Sequence, residues 1–165
     1  MSLTFVEERG LKNEGRFFTL AQKLCDALRE SPTVLNANCF RSGRHYPRKG
    51  LVDWEDRDGQ DVLIRLVSYP SPSASFVSSS FIYDVKSSEG AARKFNRKIR
   101  RGVGQKKACI KRAIVTNESR TDLEIIGELI SDFSSAGVLP AGVREEILSR
   151  FVNPSTLQLN LPALS

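Results

Sequence analysis

The segment FIYDVK, residues 81–86, sets an acid and a lysine two positions apart at the end of an apolar run, and GQDVLI, residues 59–64, sets another acid at the start of a second run. Side chains alternate along an extended chain, so Phe81, Tyr83 and Val85 share one face while Ile82, Asp84 and Lys86 share the other. If the two runs pair antiparallel, the start of one lies beside the end of its partner, and Asp61 meets Asp84. Two converging carboxylates offer the hard oxygen ligands that Mg²⁺ takes, with Mn²⁺ as the alternative ion. An ion held there would polarise a phosphodiester and lower the pKa of a bound water. Lys86, on the same face, would position the attacking water or neutralise charge building on the phosphate. The plainer reading of the same residues is a strand-end acid capping a turn and a surface ion pair of little energetic weight.

Positive charge follows this segment closely. Between Ala91 and Arg112 stand Arg93, Lys94, Arg97, Lys98, Arg100, Arg101, Lys106, Lys107, Lys111 and Arg112, with no carboxylate among them. Subtracting these ten charges from the net +6 leaves −4 on the rest of the chain, so the basicity is local. Ordinary surface helices mix both signs, which makes this stretch a candidate phosphate-backbone surface with Lys94, Arg97, Lys98 and Arg101 as leading contacts.

The elements that must position these residues can be read from periodicity. Asn13, Phe17, Leu20, Leu24 and Leu28 recur at three and four residues, predicting a first helix from about Asn13 to near Pro32, with Cys25 packed beside its apolar stripe. VLNANCF (34–40) is a candidate short strand, DVLIRLVS (61–68) a stronger one, and FVSSSFIYDVK (76–86) its hairpin partner across YPSPSAS. After Ser87 and Ser88, an N-cap signal, Ala92, Phe95 and Ile99 line one face of a basic helix. CIKRAIVTN (109–117) reads as a strand, and Thr121 with Glu124 forms a capping box for a helix running to about Gly137. A short helix after Pro140 carries Val143, Ile147 and Phe151. Interleaved helices and strands predict an α/β architecture, a small central mixed sheet flanked by helices. Residues 1–151 are expected to form one domain. Residues 152–165, with Leu157, Leu159 and Leu161 in alternation, are an extended tail that is either an edge strand or an arm for a homodimer.

The residues GQDVLI and FIYDVK resemble the PD-(D/E)XK, or restriction-endonuclease-like, nucleases, in which an acid before one strand and an acid-x-lysine on the next form the metal site. The layout is similar to Mrr-like restriction enzymes and archaeal Holliday-junction resolvases over roughly residues 10–135. The resemblance implies an αβββαβα core, Asp61 and Asp84 as metal ligands, Lys86 as the catalytic lysine and Glu14 on the first helix as an assisting acid. Gln60 replaces the proline of the written motif, the second acid is Asp where Glu is commoner, and the hairpin is long. The implied activity is Mg²⁺-dependent DNA cleavage. Two alternatives stand beside it: a nucleic-acid-binding module without metal chemistry, and a protein-interaction module of the immunity type whose basic surface meets an acidic partner.

Other residues offer less. Cys25, Cys39 and Cys109 are odd in number and lack zinc spacing, which predicts reduced thiols in a cytoplasmic protein. Glu7 and Glu8, with no long apolar run, argue against a signal peptide or a membrane span. His45 in its Gly/Pro/Arg loop has no acid or thiol at ligand spacing, and RGVG at 101–104 is too short for a phosphate-binding loop. Trp54 is a packing anchor or a base-stacking aromatic, and Asp53, Glu55, Asp56 and Asp58 read as a solvated turn.

Overall fold

The computed structural model describes residues 5–41, 61–69, 75–101, 109–139 and 141–152. In chain order these form α1 (Phe5–Arg29), β1 (Val34–Arg41), β2 (Val62–Ser68), β3 (Val77–Lys86), α2 (Glu89–Arg101), β4 (Cys109–Val115), α3 (Asp122–Ser135) and α4 (Ala141–Val152). The strands build one four-stranded sheet in the order β1-β2-β3-β4. β1 to β3 form an antiparallel meander, and β4 joins β3 in parallel, with α2 as the crossover such a pairing requires. The architecture is therefore α/β, a mixed sheet flanked by helices.

Alternation decides what each face of the sheet meets. Val62, Ile64 and Leu66 of β2 and Phe81 and Tyr83 of β3 are buried on the side covered by α1, α3 and α4. There they pack with Phe17, Leu24, Leu28, Ile126, Phe133 and Ile147; Phe81 and Phe133 rings lie 4.7 Å apart, and Phe17 meets Tyr83 edge-on at 5.4 Å. The opposite face, at β3 and β4, is covered by α2 through Ala92 and Phe95 against Ala113 and Val115. Leu35 sits where the β1–β2 register shifts, which explains its exposure within a strand.

The first helix is longer than its apolar stripe predicts. It begins at Phe5 because residues before Asn13 hold helical conformation on an exposed surface, where no buried stripe marks them. Phe5 itself is exposed, with the Arg9 guanidinium 4.8 Å over its ring one turn later. Cys25 is buried in the core, and Cys39 approaches it from β1. A hydrogen bond to Cys25, and then burial, push the Cys39 thiol up, so Cys39 is a poor nucleophile near neutral pH.

α3 is closed at both ends by local chemistry. Thr121 and Glu124 satisfy each other's backbone N–H groups as a capping box, and the Thr121 bonds hold the Glu124 carboxyl below its ordinary range. At the other end Gly137 N–H donates to Ser134 O at 3.0 Å and Val138 N–H to Phe133 O at 3.2 Å, a Schellman closure with Gly137 at φ +78°. A Cβ at Gly137 would meet nothing within 4 Å. Gly137→Ala is therefore expected to cost about 1 kcal/mol, from backbone strain alone, read as a lowered midpoint in urea with an unchanged slope.

Candidate active site

The β2–β3 register pairs Val62 with Tyr83. One further step along both strands sets Asp61 against Asp84. Asp61 brackets its opposite number: its N–H donates to Tyr83 O at 2.9 Å, and its Oδ2 accepts from the Val85 N–H at 2.7 Å. A side chain thus continues the ladder where the strand's own carbonyls leave off, and this fixes the orientation of the Asp61 carboxylate. Both acids are about 5% exposed.

Lys86 projects on the same face, its Nζ 3.1 Å from Asp84 Oδ1. Its side chain is 31% exposed against 7% for Asp84, so the ammonium stands between the buried acid and solvent. Burial first, and the nearby Asp61 carboxylate second, push the Asp84 carboxyl up to about 6, against the opposing pull of Lys86. The pair is held close at an electrostatic cost that a bound cation would relieve.

Glu14 reaches this end of the sheet from the other side. Its helix neighbours show the approach: Asn13 Nδ2 donates to Ser87 Oγ at 2.8 Å, and Phe17 packs on Tyr83. The Glu14 carboxylate is 3% exposed and pairs with Arg41, whose Nε is 3.4 Å away and whose strand position is opposite Val62. Asp61, Asp84 and Lys86 share one face, while Glu14 comes to the same end from α1. Among the described residues no group of three or more His, Cys, Asp and Glu side chains gathers as a metal site.

α2 stands beside the acids. Arg93, Lys94 and Arg97 are exposed on its outer surface, and Ala92 is buried beneath. Lys98, Arg100 and Arg101 lie within the helix. Lys106 and Lys107 fall outside the described residues, as do His45, Trp54, the acids at 53, 55, 56 and 58, RGVG beyond Arg101, and the tail from residue 153 onward.

Three features of this region escape sequence reasoning. Phe95, counted only as an apolar helix position, has the Lys86 ammonium 5.1 Å from its ring centroid. Arg41, the last residue of β1, supplies the partner for Glu14. Behind the sheet, Asp132 of α3 accepts from Tyr83 OH at 2.8 Å and from Arg112 Nε at 2.7 Å, and Arg112 also pairs with Glu128. Burial, together with Asp132, raises the Tyr83 phenol well above 10; burial opposes the Arg112 charge, yet Asp132 and Glu128 outweigh it and hold the guanidinium firmly protonated. Alternation at Arg112 could have signalled a half-buried cation, but nothing local names its partners.

No protein-family model matches the chain, and neither a curated protein nor a solved structure matches it. Among the described residues no helix is long and apolar enough to cross a membrane.

Proposed function

We propose that this protein is a small metal-dependent nuclease that hydrolyses phosphodiester bonds in DNA, with Asp61, Asp84 and Lys86 at the reacting centre and α2 as the surface for the backbone. The observation that carries this reading is the meeting of Asp61 and Asp84 across the hairpin with the Lys86 ammonium 3.1 Å from Asp84. The element order, a helix, three strands, a helix, a strand and two helices, also supports this reading, since it contains the αβββαβα succession of restriction-endonuclease-like enzymes with one helix added at the end.

The donor set suits a hard divalent cation such as Mg²⁺: two buried carboxylates, one of them raised by burial and then by the charge of the other, with oxygen donors only. Asp61 and Asp84 would hold the ion, which when bound supplies Lewis acidity and a water of lowered pKa. Asp61 keeps its orientation through the Val85 N–H. Lys86 exchanges part of its pairing with Asp84 for the incoming phosphate, and its ammonium then carries charge building on the non-bridging oxygens. Glu14, set by Arg41, assists from the α1 side. Arg93, Lys94 and Arg97 meet neighbouring phosphates, so affinity falls steeply with salt as counterions are released.

One observation favours a second reading, a nucleic-acid-binding module without hydrolysis: Asp84 already has an ion-pair partner, and among the described residues no third acid, His or Cys gathers with it and Asp61. Supercoiled plasmid incubated with the protein separates the two. Cutting in Mg²⁺ that EDTA stops, and that Lys86→Ala reduces by at least about 10²-fold, supports the nuclease. A salt-sensitive mobility shift with no cutting in either Mg²⁺ or Mn²⁺ supports the binding module, and absence of any shift at low salt rejects both.

A further inference from the structure

α2 covers one half of its face of the sheet. Alternation sends Ile64, Leu66, Phe81 and Tyr83 into the main core, so their neighbours Leu63, Arg65, Val67 and Ile82 stand on the face that α2 shares. The helix packs there through Ala92 and Phe95 on Ala113 and Val115 of β4. β1 and β2 lie beyond β3 from it, and their side chains show the consequence: Phe40 is 47% exposed, and Arg65 and Asn36 are exposed. We infer that this uncovered half of the sheet is a stacking platform for the bases of a single-stranded nucleic acid. The inference rests on the nucleic-acid reading of the site proposed above and names the form of its substrate.

Strand register sets the order of side chains along the platform. Nearest the acids, Phe40 pairs with Leu63 and Leu63 with Ile82, one same-face step from Asp61 and Asp84. The middle is polar. Asn38 lies opposite Arg65, which lies opposite Ser80, and Asn36 flanks Val67 on the β1 side as Ser78 does on the β3 side. Asn38 Nδ2 donates to Asn36 Oδ1 at 2.8 Å, so the two amides share this face, and each keeps further hydrogen-bonding capacity for a base edge. At the far end Ser68 pairs with Val77, and both turn toward the main core. The next step outward, Tyr69 and Phe76, therefore returns to the open face, where the two are 37% and 60% exposed. Between the Leu63 row and the Tyr69 row the strand runs about 20 Å.

Charge decides among the occupants such a face could take. Its exposed charge is Arg65, and its carboxylates among the described residues are Asp61 and Asp84, both about 5% exposed. A second copy laid face to face would bury Arg65 against a surface whose acids are already withdrawn, leaving a desolvated cation without a partner. A single strand supplies both things the face lacks, a phosphate for Arg65 and flat rings for Phe40, Tyr69 and Phe76. In a duplex the bases are stacked on one another, so these rings would gain nothing. α2 stands along one side of the platform with Arg93, Lys94 and Arg97 exposed. A strand crossing β1 and β2 reaches Asp61 along β2 and does not pass beneath that helix.

The test uses the full chain in EDTA with a fluorescein-labelled DNA single strand of about 20 nucleotides and its duplex form, affinity being followed by anisotropy across a KCl series. The single strand is expected to bind at least about 10-fold more tightly than the duplex. Phe40→Ala and Phe76→Ala should each weaken single-strand binding about 5- to 100-fold and leave duplex binding unchanged, while Phe40→Trp keeps both. Arg65→Ala should reduce the slope of log K against log salt for the single strand by about 0.7. These side chains are exposed, and circular dichroism with thermal unfolding confirms that each variant is folded. Equal affinity for the two forms, or a single-strand preference that survives both Phe→Ala changes, overturns the inference and leaves the nucleic-acid reading standing. A dimer in sedimentation that Phe40→Ala dissociates, with single-strand affinity unaltered, overturns it in favour of a second copy on this face. Single-strand binding that needs Phe40, without cutting in Mg²⁺ or Mn²⁺, supports the platform and fails the hydrolytic reading. No binding of either form at low salt overturns both.

Discussion

Asp84→Asn is expected to make the protein more stable near neutral pH and, if the proposed nuclease reading holds, to abolish cutting in Mg²⁺. In the folded chain the Asp84 carboxyl is raised to about 6 from an ordinary 3.8, by burial and by Asp61. A carboxyl whose folded pKa lies above its unfolded value has its full stability below the unfolded value. It loses stability as pH rises through the folded one, because the unfolded chain releases its proton first. The loss develops between about pH 4 and pH 6 and amounts to about 3 kcal/mol at completion, at roughly 1.4 kcal/mol per unit. Asparagine keeps an oxygen for Lys86 and never ionises. The variant and the wild type should therefore match in urea unfolding below about pH 4, and the variant should lead by up to about 3 kcal/mol above about pH 7. Added Mg²⁺ should raise the wild-type midpoint and leave that of the variant unmoved, since a ligand stabilises only the state that binds it. A variant less stable than the wild type at neutral pH would show that the Lys86 pairing outweighs the repulsion. That result would remove the electrostatic case for a cation between the two acids.

Asp132→Ala should have an effect of similar size and opposite sign. A single oxygen of Asp132 accepts from both Tyr83 OH and Arg112 Nε, and Tyr83 is 1% exposed. Truncation leaves a buried phenol without its partner and a half-buried guanidinium with Glu128 as its remaining carboxylate. Removing one member of a buried charged network costs more than the net value of its bonds, because the groups left behind stay desolvated. The expected loss is about 3 kcal/mol, with Asp132→Asn near half of that and Tyr83→Phe about 1 kcal/mol. A double-mutant cycle with Arg112→Ala should return a coupling of about 1–3 kcal/mol. Additive losses would mean that the two side chains act independently. The network also bears on the site: Tyr83 directly precedes Asp84, and its carbonyl accepts the Asp61 N–H, so a loosened Tyr83 would spread the two acids.

How much of this was legible beforehand depends on the range of the interaction. Period-two alternation in FIYDVK correctly divides Tyr83 from Asp84, and the three-four spacing of Phe17, Leu20, Leu24 and Leu28 marks the buried side of α1. Thr121 and Glu124 form the cap their spacing predicts, and Val143, Ile147 and Phe151 turn inward on α4. Each of these is decided within one or two turns of chain, where backbone geometry alone sets which side chains are neighbours. The start of α1 was not legible, since an exposed stretch needs no apolar stripe.

The longer-range arrangement came from packing. Sequence alone determined that an acid and a lysine would face one way beside a strongly basic helix, because alternation and helical spacing are properties of the backbone. Only the tertiary structure decided that the Asp61 carboxylate would take the Val85 N–H, that Glu14 would be paired with Arg41, and that Phe95 would stand under both Lys86 and Lys111. Those contacts join residues from different elements, and the register and layer packing that bring them together are set by burial of the whole core rather than by any local run of residues.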